Sequence, residues 1–108
     1  MNRYLMIESR GPFDADATAS FTLLAQQLAG AGHAVTMMLV HNGVLPARRG
    51  ATHAPLAALR AAGVKVLADA FSLKERGIAP EALATGVEAS ALDVVIDDMA
   101  GGARTIWH

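Results

Sequence analysis

The sequence predicts an α/β fold, a three-layer sandwich around a mostly parallel sheet of about four to five strands. Short apolar runs alternate along the chain with segments whose apolar residues have helical spacing. Such runs are typical of strands covered on both faces, and strands that alternate with helices pair in parallel through right-handed crossovers. The 108 residues are 53% hydrophobic, which indicates one buried core and a single domain over residues 1–108.

The first part of the chain has the pattern of a strand, a helix and a second strand. The apolar run at residues 4–7 predicts the first strand, and either Asp14 or Asp16 can cap the helix that follows. Residues 34–40 are again apolar almost throughout and predict the second strand. The helix between them has apolar residues at i, i+3, i+4 and i+7, namely Phe21, Leu24, Ala25 and Leu28.

A long connection follows the second strand. Residues 41–54 predict a loop, and ordered loops of this length are often functional. Pro55 suits the first turn of a second helix, because proline lacks only an N–H that would be unpaired there. Residues 64–68 form another apolar run and predict the third strand.

The last part of the chain predicts two helices and a closing strand. Residues 69–77 have the pattern of a short helix with Asp69 as its N-cap. Ser90 and Asp93 match a capping box, which predicts Ser90 as the cap of the final helix. Residues 103–107 predict the closing strand. The final helix carries an apolar stripe at helical spacing, Leu92, Val95, Ile96 and Met99.

Composition excludes several classes of function. Nine basic and ten acidic residues give a net charge of −1, and no basic block exists beyond Arg48 and Arg49, so we expect no nucleic-acid partner. The absence of cysteine excludes disulfides, thiolate metal sites and thiol catalysis. We find neither a secretory signal nor an apolar run long enough to span a membrane, so we expect a cytoplasmic protein without a membrane partner. The histidines show no metal-binding spacing and no dinucleotide or phosphate-loop motif is present, so we expect neither metal nor cofactor.

Polar residues follow each of the first three strands. Because the carboxyl ends of parallel strands lie at one edge of the sheet, where ligands bind in open α/β folds, these residues are the candidate ligand-binding site. They are Arg10, Gly11, His41, Asn42, Asp69 and Ser72.

Each candidate also has a purely structural interpretation. Asp69 can be a helix cap, or a general acid/base acting with His41. Arg10 can be a turn residue or can bind an anion. Ser72 lacks the G-x-S-x-G motif of a serine nucleophile. The residues alone therefore form no convincing catalytic group, and we do not expect an enzyme.

Several segments in order resemble the DsrE/DsrF-like family, which includes subunits of sulfur-relay complexes. The resemblance spans nearly the whole chain. It is carried by residues 4–14 (YLMIESRGPFD), 29–33 (AGAGH), 41–44 (HNGV), 61–66 (AAGVKV) and 73–78 (LKERGI). It implies a small α/β sandwich that assembles into oligomers, here a homodimer or homotrimer. It also implies a site just after the third strand, where active members carry a cysteine that transfers sulfane sulfur as a persulfide.

This chain departs from that family pattern at the cysteine. Many members have C-x-x-C before L-x-x-R-G, and alignment on residues 73–77 places Asp69 at the first cysteine and Ser72 at the second. A carboxylate cannot form a persulfide, which needs a thiolate. The resemblance therefore implies an accessory subunit that lacks persulfide-carrying ability and has a cysteine-bearing family member or sulfur-carrier protein as a possible partner. The alternative is a module that binds a small molecule or an anion at the carboxyl edge.

Overall fold

The computed structural model describes residues 2–11, 15–50 and 56–108, with the backbone alone at 15–17. Within these residues five strands form one all-parallel sheet. The strands are β1 (Arg3–Glu8), β2 (Ala34–Leu39), β3 (Lys65–Asp69), β4 (Glu88–Ser90) and β5 (Arg104–Trp107). The α-helices are α1 (Ala15–Gly30), α2 (Leu56–Ala61), α3 (Ala70–Glu75) and α4 (Asp93–Ala100), and 3-10 segments occupy His41–Ala47 and Pro80–Ala82. This architecture confirms the predicted α/β class.

The strand order is β4-β3-β2-β1-β5. The chain moves outward from β1 to β4, one strand at a time, and α4 then returns it to the free side of β1. Helices α1, α2 and α3 contribute to the core on one face of the sheet, whereas α4 packs on the other face. The sheet is thus the middle of three layers.

Coverage of both faces explains the continuous apolar runs in the strands. In β1, Met6 faces the core shared with α1, while Leu5 and Ile7 face the α4 side. All three side chains are buried. A strand with only one covered face would instead alternate apolar and polar residues.

The structure corrects the prediction of a capping box at Ser90. Ser90 is the last residue of β4 and pairs with Asp69 in the parallel ladder, so its backbone is held extended. Its hydroxyl donates to the Ala91 carbonyl, and α4 begins at Asp93 after Leu92, which makes no side-chain capping hydrogen bond. The sequence prediction also missed β4 itself.

The connection after β2 is also more regular than predicted. Residues His41–Ala47 form a 3-10 segment instead of an irregular loop. Gly43 and Pro46 disfavour an α-helix, but short 3-10 turns accept both. Arg48, just beyond the segment, forms an isolated bridge with Leu83.

The final helix is present, but most of its apolar stripe faces outward. Val94 and Val95 pack against the sheet. Leu92, Ile96 and Met99 are 49%, 64% and 53% exposed. The helical spacing therefore predicted the helix correctly without showing which of its faces would be covered.

Some predictions fall outside the described residues. These are the cap proposed at Asp14 and the helix start at Pro55. The alternative cap, Asp16, is corrected by the structure, because its backbone lies inside α1 and an N-cap residue precedes the helix. None of the helices in the described part of the chain is both long and apolar enough to cross a membrane.

Candidate functional site

The connections that follow β1, β2 and β3 meet at the carboxyl edge of the sheet. A Cβ atom on Gly11 would lie 3.3 Å from the Asn42 Cβ, so the turn after β1 touches the 3-10 segment after β2. Gly43 approaches β1 even more closely, since a Cβ there would clash with the Glu8 carbonyl oxygen. Glycine at both positions lets the two backbones meet.

Asp69 and Ser72 join β3 to the same place. The Asp69 carboxylate accepts hydrogen bonds from the Ser72 backbone N–H at 3.0 Å and from the Ser72 hydroxyl at 2.7 Å. The Ser72 Oγ in turn accepts the His41 backbone N–H at 2.9 Å. Asp69 and Ser72 are buried, whereas His41 is exposed. The prediction of Asp69 as an N-cap is confirmed.

Arg76 links Asn42 to α3 through hydrogen bonds. Its Nε and one terminal nitrogen donate to the Asn42 Oδ1 at 3.2 and 3.1 Å. Its other terminal nitrogen donates to the Ser72 carbonyl at 3.1 Å. The arginine of the L-x-x-R-G segment therefore organises the connection after β2. The residues of this network are named here the edge cluster: Gly11, Asn42, Asp69, Ser72 and Arg76.

The structure brings most of the predicted site residues together, but it uses them for internal hydrogen bonds. His41 enters the network through its backbone, and no hydrogen bond links its ring to Asp69 within the described residues. Arg10 is exposed, and its backbone N–H lies 3.4 Å from a Glu8 carboxylate oxygen. Arg10 is thus an exposed cation at the carboxyl edge, whereas the Arg76 guanidinium is hydrogen-bonded and lies 4.0 Å from a Glu75 carboxylate oxygen. The Asp69 carboxylate is bonded to Ser72.

Sequence reasoning missed a second polar pair at this edge, formed by Glu8 and His108. The His108 Nδ1 lies 2.8 and 3.1 Å from the two Glu8 carboxylate oxygens. Glu8 is 4% exposed, and the His108 ring stacks on Phe21 with centroids 5.0 Å apart. The pairing of β5 with β1 creates this contact, and no short sequence motif could have indicated it.

The backbone around this pair is also fixed. The His108 N–H donates to the Ile7 carbonyl at 2.8 Å, and the Ser9 N–H donates to the His108 carbonyl at 3.0 Å. These bonds continue the β1–β5 ladder past its last strand residue. Backbone hydrogen bonds to β1 therefore fix the position from which the His108 imidazole contacts Glu8.

No site for a metal ion is evident in this geometry. Among residues 2–11, 15–50 and 56–108, no group of three or more histidine, aspartate or glutamate side chains is placed to hold one. Since the whole sequence also lacks cysteine, the edge cluster offers buried hydrogen bonds and one partly exposed guanidinium group, but no thiolate nucleophile.

Replacing Asp69 with alanine should lower the free energy of unfolding by about 1–2 kcal/mol, because the Ser72 N–H and hydroxyl lose their acceptor. Urea denaturation measures this change. Asp69→Asn is the matched variant, since its amide oxygen can still accept the Ser72 N–H, and it should lose less than half as much. Equal losses in the two variants would show that the negative charge stabilises the site, not the cap hydrogen bond.

Fold and site together define a small three-layer α/β sandwich with a hydrogen-bonded polar cluster at the carboxyl edge of a parallel sheet. A family model described as the DsrE/DsrF-like family matches residues 2–107. The chain belongs to that family. A comparison with curated proteins gives no match.

Solved structures share this fold. The ychN protein from E. coli is similar with a TM-score of 0.89 and 19% identity, and the match covers 100% of both chains. A protein of unknown function from Methanobacterium thermoautotrophicum is similar with a TM-score of 0.86 and 18% identity, again over 100% of both chains. At such identities the likeness establishes the fold.

Proposed function

We propose that this chain is a non-catalytic subunit of a sulfur-relay system, which binds other subunits and does not itself carry a persulfide. Family membership supports the link to sulfur relay. The absence of any cysteine in the sequence supports the non-catalytic part, because sulfane sulfur is carried on a thiolate.

The observation that carries the proposal is the buried, hydrogen-bonded environment of Asp69. At the position where the family resemblance places the sulfur-carrying cysteine, this chain has a buried carboxylate with both Ser72 donors bound to it. Aspartate keeps the helix cap and supplies no thiolate. The fold around the site is thus maintained without the family chemistry.

An exposed apolar surface gives such a subunit a means of association. Leu92, Ile96 and Met99 lie at i, i+4 and i+7, so they share one side of α4, and each is about half exposed or more. We name this surface the α4 stripe. Contiguous exposed apolar surface is typical of protein interfaces. We propose that the stripe mediates self-association into a dimer or trimer, binding of a cysteine-bearing family member, or both.

Native mass spectrometry of the protein recovered from its own host tests this function. We expect a stoichiometric complex with a cysteine-bearing DsrE-family or sulfur-carrier protein, with any bound sulfane sulfur on the partner. A homo-oligomer with a fixed extra mass on every chain would instead support the alternative, a ligand bound at the carboxyl edge near Arg10 and Arg76. A bare monomer would contradict both the accessory role and the predicted oligomer.

The α4 stripe can be tested in the same experiment. Ile96→Asp places a charge in the centre of the stripe and should weaken association by about tenfold or more, because an interface core does not tolerate an unpaired charge. Leu23→Asp is the matched control, since Leu23 is 53% exposed on α1, away from the stripe. Equal weakening by both variants would exclude the stripe as the interface.

A further inference from the structure

A concave surface lies outside the edge cluster, beside the edge strand β4. It is a cavity of about 430 Å³, here named the outer cavity. Small-molecule sites in proteins usually fall between about 300 and 1,000 Å³. It is lined by Ala70, Leu73, Lys74, Gly77, Ile78, Ala79, Pro80 and Ala89.

Helix α3 and the turn after it separate the outer cavity from the edge cluster. Ala70, Leu73 and Lys74 are spaced i, i+3 and i+4, so they share the side of α3 that lines the cavity. Gly77, in the turn after α3, also lines it. The edge-cluster residues of the same segment occupy other positions. A ligand in the outer cavity would therefore not compete for the hydrogen bonds of Asp69 and Ser72.

The side chains of the outer cavity are apolar with a single exception. Among the lining residues that the structure describes, Lys74 is the only charged one and none carries a carboxylate. In the described part of the chain, the acidic side chains within 4.0 Å of a basic side chain lie beside Arg76 and His108, so Lys74 has no anionic partner there. A lysine can lay its methylene stem along an apolar wall and present its ammonium group at the rim.

We propose that the outer cavity binds an apolar molecule that carries one carboxylate, such as a medium-chain carboxylate. The alanine, leucine, isoleucine and proline surfaces bury the chain, and the Lys74 ammonium pairs with the acid. A cationic ligand of the same length is repelled by Lys74. A highly charged phosphate ligand would meet one cation and an otherwise apolar wall, which cannot replace its water.

The test is a titration with decanoate followed by amide proton–nitrogen correlation spectra. We expect decanoate to shift the amide signals of Gly77, Ile78 and Ala89, and decylamine to leave them unchanged. Lys74→Gln should weaken decanoate binding by about tenfold, the usual effect of losing a charged hydrogen-bond partner. Lys65→Gln is the matched control: it makes the same change in net charge at an exposed position on β3 and should bind decanoate like the unsubstituted chain.

A second variant tests the cavity itself. Ala89 is exposed on the edge strand, so leucine there can be accommodated by the fold while its side chain occupies the space for the ligand. Ala89→Leu should keep the circular dichroism spectrum and lose decanoate binding. The proposal is overturned if decanoate shifts none of these amides, if decylamine binds equally well, or if both lysine variants behave alike. It is also overturned if an acidic extended peptide binds here and decanoate does not, since the cavity would then be a protein-docking groove.

Discussion

His108→Ala is expected to lower the free energy of unfolding by about 2 kcal/mol, because it leaves the buried Glu8 carboxylate without the imidazole at its oxygens. The Glu8 side chain is 5% exposed and the His108 side chain 21% exposed. Leaving a buried hydrogen-bonding group without its partner costs about 1–3 kcal/mol. We expect the middle of this range, since water can enter where the partly exposed imidazole is removed. Urea denaturation, analysed with a common slope, measures the loss.

Two further variants separate the effect of the Glu8–His108 contact from that of the ring stacking. His108→Phe keeps an aromatic ring against Phe21 but cannot donate to Glu8, so it should be nearly as unstable as His108→Ala. Adding Glu8→Gln to His108→Ala removes the unpaired charge and should restore part of the stability. A double-mutant cycle with no coupling between the two positions would refute the Glu8–His108 contact as a source of stability.

The sequence predicted the buried strands well, because burial on both faces requires a continuous run of apolar residues. The runs at residues 4–7, 34–40 and 64–68 correspond to β1, β2 and β3. Asp69 was also predictable as an N-cap, since capping depends only on the residues that follow it. The same local rule failed at Ser90, because the pairing of β4 with β3 holds that residue extended.

The features that the sequence did not predict depend on the arrangement of distant elements. Strand β4 has three residues, Glu88–Ser90, and at the sheet edge it needs no apolar run. The Glu8–His108 pair joins residues at opposite ends of the chain and requires β5 to lie beside β1. Which side of α4 is exposed likewise depends on how the helix packs against the sheet. Periodicity in a single sequence contains no information about strand order.

The sequence predicted which residues of the candidate site lie close together, but not which hydrogen bonds they make. Parallel strands imply that the residues after β1, β2 and β3 converge, and Gly11, Asn42, Asp69 and Ser72 do so. Which polar groups would bond to one another and which would face solvent depends on ångström-scale geometry. Arg76 shows this clearly, since it holds Asn42 from across the edge cluster and was noted in the sequence only as part of a family segment.

Gly43→Ala should lower the free energy of unfolding by about 2–3 kcal/mol, because the new methyl group has no space. Its Cβ would overlap the Glu8 carbonyl oxygen and lie 3.0 Å from the Glu8 carbonyl carbon. The atom in the way of the new methyl group is a backbone oxygen that is itself hydrogen-bonded. The Glu8 carbonyl oxygen accepts the Val40 N–H at 2.9 Å, which joins β1 to the end of β2. Neither side can move away without breaking the contact between β1 and the 3-10 segment.

The clash at Gly43 should also disturb the hydrogen bonds of the edge cluster. Gly43 adjoins Asn42, so a displaced 3-10 segment would move the Asn42 amide away from the Arg76 guanidinium. Gly30→Ala is the matched control, because Gly30 ends α1 with no atom within 4 Å of a new Cβ. That variant should change stability little, and urea denaturation of the two side by side measures the difference. Equal stability in Gly43→Ala and Gly30→Ala would mean that the connection after β2 is not held against β1, and that the edge cluster does not need this close approach to assemble.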